Sequence, residues 1–183
     1  MRHLVSLVAA LALTASPTLA QEFSTTLVAD FTGEGLNDRA ELIAMQRGDD
    51  ATLKIWNNGN FVLEVPGIAW VGGIGQEPEL AVTPHGSLQV ISMNEAIGRN
   101  RWHETLTIAY RRGVFVVAGY TYDWYDTLNL NDQGTCDMNF LSGKTFVDIG
   151  PDRTRIIRPT EMTVLPLALW PGDIPKVCAD YLN

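Results

Sequence analysis

The sequence predicts an all-β chain: antiparallel strands in a meander, sandwich or partial-propeller arrangement, with a short C-terminal helix. Three observations carry this. From Phe23 onward apolar and polar residues alternate in short runs, as in strands that bury one face. Gly, Asn or Asp interrupts the runs roughly every ten positions, the spacing of successive turns. Helical periodicity is almost absent until the C-terminal end. The pattern places strands at 26–31, 40–45, 52–56, 61–65, 79–83 and 87–92. Asn57-Asn58-Gly59-Asn60 and His85-Gly86 read as tight turns, because Asn and Gly tolerate the positive φ such turns need.

The clearest hairpin joins 102–111 to 114–124 across Arg112-Gly113. With a two-residue turn, Tyr110 opposes Phe115, Ile108 opposes Val117 and Leu106 opposes Gly119, and this face reads as core. The same register pairs Thr107 with Ala118, Thr105 with Tyr120, His103 with Tyr122 and Arg101 with Trp124 on the other face. Further strands follow at 135–141 and 144–149 around Ser142-Gly143, then at 154–158 and 162–167. Residues 173–181 read as the terminal helix, with Asp173 as its cap and Pro175 near its first turn.

At 183 residues, 46% of them hydrophobic, the chain can bury one ordinary core, and no linker or repeat divides it. Its 13 Lys+Arg against 21 Asp+Glu give a net charge of −8, which offers little to a phosphate backbone and argues against nucleic acid as a partner. Residues 1–20 read as a cleaved signal peptide: Arg2 and His3, an apolar stretch over 4–13, then Thr18-Leu19-Ala20 with small residues at −3 and −1. That stretch is shorter than the roughly 20 residues of a membrane span, and no later segment comes closer. The expectation is a periplasmic or secreted protein with a single mostly-β domain over 21–183 and no membrane span after cleavage. In an oxidising compartment its two cysteines, Cys136 and Cys178, are expected to form a disulfide.

One local motif points to chemistry. In Asp30-Phe31-Thr32-Gly33-Glu34-Gly35-Leu36-Asn37-Asp38, oxygen-bearing side chains stand at positions 1, 3, 5 and 9. Position 7 can turn its carbonyl inward, and Gly35 permits a sharp bend; hard cations such as calcium take this kind of ligand set. The segment from Val28 to Leu42 resembles the Asp-x-Asn-Gly-Asp-Gly-x-x-Asp loop of the integrin-α-like FG-GAP and VCBS repeats. The resemblance implies that Asp30, Glu34 and Asp38 are side-chain ligands of calcium, Leu36 is a carbonyl ligand, and Thr32 stands where the family usually has Asn or Asp. Those repeats are propeller blades, but one chain of this length cannot close a ring of roughly four to eight blades. A stretch including Thr107–Phe115 and Cys136–Lys144 looks like exported bacterial proteins and adds no activity.

The register above also sets Arg101 and His103 beside Tyr120, Tyr122 and Trp124, a half-polar, half-aromatic face suited to a glycan or protein partner. The competing reading has these rings covered by another layer, with Arg101 over Trp124 as an ordinary cation–π contact. Neither His85 nor His103 has metal-ligand spacing, and no serine sits in a Gly-x-Ser-x-Gly elbow. The sequence therefore predicts an exported, non-catalytic binding or structural module with a calcium-stabilised loop. The second reading is an interaction, inhibitor or glycan-binding module built on the aromatic face.

Overall fold

The computed structural model describes residues 23–160 and 163–182; the expected leader over 1–20 lies outside them. Two antiparallel meanders form the fold. The first runs in chain order through β1 (Phe23–Ala29), β2 (Asp38–Ala44), β3 (Asp50–Asn57) and β4 (Asn60–Trp70). The second comprises β5 (Glu79–Val82), β6 (Leu88–Asn94), β7 (Asn100–Arg111), β8 (Val114–Asp126), β9 (Gln133–Asn139), β10 (Lys144–Ile149) and β11 (Thr154–Pro159), each paired with its predecessor. A two-residue strand, β12 (Leu165–Pro166), adds to the free side of β8 opposite Val117 and Val116. It is all that forms of the expected 162–167 strand, and Met162 lies outside the described residues. No helix among the described residues is long and apolar enough to cross a membrane.

Alternation decides which side chains go inward. Ala40, Leu42 and Ala44 of β2 and Ala51, Leu53 and Ile55 of β3 are buried, and their neighbours in sequence lie nearer solvent. They share one hydrophobic cluster with Leu88, Val90, Leu106, Ile108 and Val117 of the large sheet, so the two meanders close over a common core. The part of the large sheet around β8 to β10 is covered by the C-terminal segment. Leu167, Trp170 and Cys178 are buried there, and the Trp170 ring lies 5.7 Å from Tyr120. A disulfide joins Cys136 of β9 to Cys178 in α1 (Lys176–Ala179), with the Cα atoms 5.6 Å apart. This helix is shorter than the expected 173–181, and its N-cap is Pro175 rather than Asp173, with no side-chain cap bond.

The β7–β8 hairpin departs from the expected register at one point. Tyr110 opposes Phe115 and Ile108 opposes Val117, as a two-residue turn requires, but Thr107 opposes Gly119 because Ala118 is an extra residue in β8. A bulge of this kind turns every later side chain of its strand to the other face. Leu106 therefore opposes Tyr120, Glu104 opposes Tyr122 and Trp102 opposes Trp124. The pairs expected beyond Ile108 do not form: Leu106 with Gly119, Thr107 with Ala118, Thr105 with Tyr120, His103 with Tyr122 and Arg101 with Trp124. Tyr120, Tyr122 and Trp124 face the core at 1%, 7% and 9% exposure, and Arg101 and His103 stay on the opposite face. The Trp124 ring lies over Gly134 of β9, where an added Cβ would meet it at 2.5 Å. The close cation–π contact is instead Arg39 over Trp56, at 3.7 Å.

Glu104 faces inward too, on the same side of β7 as Leu106 and Ile108, and lies between Ser92 of β6 and Tyr122 of β8. Desolvation there pushes its carboxyl up to about 7, with the Asp50 carboxylate adding repulsion, and burial also pushes the Tyr122 phenol up to about 12. A raised carboxyl pKa favours the folded state fully below its ordinary value of 4.5, and that advantage is lost as pH climbs through about 7. Glu104→Gln should match the parent's melting temperature near pH 4 and exceed it by several degrees at pH 8, a difference of up to ~3 kcal/mol. Equal melting curves at both pH values would refute this account of Glu104. Replacing both Cys136 and Cys178 by Ser should cost about 4 kcal/mol, read from denaturant unfolding, for a bridge spanning 42 residues.

Candidate functional site

The loop between β1 and β2 is organised by its two end carboxylates. Asp30 follows β1, and its Oδ1 accepts hydrogen bonds from the amides of Gly33 (2.6 Å) and Glu34 (3.2 Å) while Oδ2 accepts from Gly35 (2.8 Å). These amides, that of Gly35 foremost, hold the Asp30 carboxyl below its ordinary range. The curl needs left-handed backbone at Gly33 and Gly35, both at φ 78°. Asp38 opens β2 opposite Ala29 and is only 1% exposed. Its Oδ2 accepts from the amides of Phe31 (2.8 Å) and Thr32 (3.0 Å), and the Phe31 ring is buried beneath the loop.

Thr32 ties the two carboxylates together, with Oγ1 lying 3.4 Å from Asp30 Oδ1 and 3.1 Å from Asp38 Oδ2. Asp38 Oδ1, by contrast, is shielded from solvent and has no hydrogen-bond partner. An orphaned buried carboxylate oxygen is costly, so this atom is the clearest unmet demand in the loop. Of the five ligands expected from the sequence, Asp30, Thr32 and Asp38 are brought together. Glu34 lends its amide to Asp30 and leaves its exposed carboxylate without a partner, and Leu36 is exposed at 48%. No group of three or more His, Cys, Asp or Glu side chains converges anywhere among the described residues.

On the outer face of the large sheet, His103 Nε2 lies 2.5 Å from Glu95 Oε1, and the Tyr125 hydroxyl donates to Glu95 Oε2 at 3.0 Å. Beside them the Thr135 hydroxyl donates to Asp123 Oδ1 at 2.5 Å and accepts from Arg153 Nη2 at 3.0 Å. His103, Asp123 and Thr135 line one shallow cleft of about 370 Å³. His103 is bonded to Glu95 and not to the Thr135 hydroxyl, which is taken up by Asp123 and Arg153.

A second cleft, of about 430 Å³, opens at the end of the large sheet where the β6–β7 and β8–β9 loops meet. Trp102, Tyr122 and Trp124 contribute to its wall as a ladder, Trp102 to Tyr122 at 6.1 Å and Tyr122 to Trp124 at 6.4 Å between ring centres. Arg99 closes onto buried Asp126 through two hydrogen-bonding nitrogens, Nε at 2.6 Å and Nη2 on the same oxygen. That contact lowers the Asp126 carboxyl, whose other oxygen accepts from the amides of Leu128 (2.7 Å) and Asn129 (3.3 Å). Nothing local in the sequence marks this cleft, because Arg99 and Asp126 are 27 residues apart and meet only through the β7–β8 register. Comparison with family models, with curated proteins and with solved structures gave no match, so the residues themselves carry the functional reading.

Proposed function

We propose that this chain is an exported, non-catalytic binding or structural module whose 30–38 loop is ordered by a calcium ion. One observation carries the reading: Asp38 is almost wholly buried, with Oδ2 satisfied by the loop and Oδ1 facing no donor. A hard cation would answer that oxygen and offset the repulsion between Asp30 and Asp38, which Thr32 holds near one another. Asp30, Thr32 and Asp38 are the side chains that would hold it, and Glu34 is free to turn inward because no contact fixes its carboxylate. The ion would supply positive charge and a fixed loop geometry. Export is supported by the leader-like residues 1–20 and by the Cys136–Cys178 bridge, which suits an oxidising compartment.

Calcium at about 1 mM should raise the melting temperature of the chain lacking residues 1–20 by ~3–6 °C over chelator, for a site of roughly 0.1 mM affinity. Magnesium, which demands tighter octahedral geometry, should do less. Asp38→Ala should abolish the shift, and Thr32→Ala, a milder change in case the former fails to fold, should shrink it. Identical melting in calcium and chelator refutes the site.

A further inference from the structure

The loops at one end of the molecule share a feature that the calcium loop does not explain. Among the described residues the four most exposed large apolar side chains are Ile74 at 89%, Leu128 at 78%, Met45 at 75% and Leu130 at 68%. All four stand on loops at the same end: Met45 in 45–49 after β2, Ile74 in 71–78 after β4, and Leu128 and Leu130 in 127–132 after β8. Ile97, in 95–99 after β6, adds a fifth. Hydrogen bonds join these loops in series. The Gly48 amide donates to the Val71 carbonyl at 2.7 Å, Gln76 Oε1 accepts from the amides of Glu95 (2.7 Å) and Ala96 (2.9 Å), and the Thr127 amide donates to the Arg99 carbonyl at 3.0 Å. The turns at the other end carry Leu36, Val114 and Leu141, each only about half exposed.

Single exposed apolar residues are ordinary, but five on one set of linked loops mark a docking surface. Their surroundings indicate its partner. Each tip has neutral neighbours on both sides, such as Gly73 and Gly75 around Ile74 and Asn129 and Asn131 around Leu130. No adjacent charge therefore has to leave water when a tip is buried. Both cations of the four loops are occupied, Arg47 by Glu77 at 2.6 Å and Arg99 by Asp126, and Asp49, Glu95 and Asp132 leave acid in excess. That excess repels an anionic surface and equally the same end of a second copy. A folded protein partner would need a matching hollow for each of five separate protrusions, whereas the interface of a bilayer yields to any arrangement of them.

The chain also enters the fold here, since Phe23 opposes Ala44, the neighbour of Met45. Only residues 14–22 separate Phe23 from the apolar stretch over 4–13. An export leader lying in a bilayer would hold this end within roughly 30 Å of lipid.

We propose that the loops at this end dock the protein on a zwitterionic lipid surface. Met45, Ile74, Ile97, Leu128 and Leu130 enter the boundary between headgroups and acyl chains, and the loop backbone stays among the headgroups. The inference deepens the reading of the chain as an exported binding module by naming its partner. It does not rest on calcium, since the 30–38 loop packs near Gly86 before β6 and the 95–99 loop follows that strand.

The test is co-sedimentation of the chain lacking residues 1–20 with phosphatidylcholine vesicles. Half of the protein should sediment at roughly 0.1–1 mM lipid. Salt at about 0.5 M should not release it, and replacing about a third of the lipid by anionic phosphatidylglycerol should not tighten it. Ile74→Ser and Leu128→Ser, each with an unchanged melting temperature, should weaken binding about five- to tenfold, and Leu141→Ser at the other end should not. Chelator and Thr32→Ala should leave sedimentation unchanged, so failure of the calcium site and failure of lipid docking are read separately. The proposal is overturned if the protein stays in the supernatant up to about 10 mM lipid, or if anionic lipid tightens binding in a way that salt reverses. It is equally overturned if Leu141→Ser weakens binding as much as the tip variants do, or if ultracentrifugation shows a dimer that Leu128→Ser dissociates.

Discussion

A single additional residue in the longest hairpin determines what the large sheet can do. Ala118 has no partner on β7, and from that point to Asp126 each side chain of β8 faces opposite to where simple alternation from the turn would send it. Tyr120, Tyr122 and Trp124 thereby enter the interior, and Trp102 and Glu104 line up beside them on β7. The aromatic ladder and the wall of the end cleft follow from that displacement. So does the polar outer face, where Arg101, His103 and Asp123 remain with Glu95 and Tyr125.

Turning large rings inward creates an area that the small sheet alone does not cover, and the C-terminal segment meets the need. Trp170 packs against Tyr120 and Phe140, and Leu167 is fully buried. The cover is imperfect in its polar bookkeeping: the Tyr120 hydroxyl and the Trp170 indole N–H are both buried without partners, each an unfavourable contribution of roughly 1–3 kcal/mol. The covalent link from Cys178 to Cys136 holds this segment in place despite those losses.

Much of the fold was legible because alternation and turn residues are local signals. Leu42 and Leu53 announce their burial by their spacing, and Asn58-Gly59 and Arg112-Gly113 stand where β3 meets β4 and β7 meets β8. The disulfide followed from there being two cysteines in a chain with a leader-like start. The bulge was not legible, since Ala118 and Gly119 are compatible with an unbroken strand and only the packing of the rings selects the displaced register. For the loop, residue type and spacing foretold that Asp30, Thr32 and Asp38 gather, but not that the Glu34 amide would serve Asp30 while its carboxylate stays out. The end cleft had no local trace because its walls come from two loops and a strand pair brought together by register alone.

The position of the covering segment has a consequence for how the molecule comes into being. Residues that shield the rings of β8 follow in sequence every strand they shield. A chain delivered from its N-terminus, whether by a ribosome or through a translocation pore, must hold that sheet with its most hydrophobic stripe wet until the final stretch emerges. During that interval the half-made protein is a sticky client for chaperones, and only closure by the tail turns it into a surface that water tolerates.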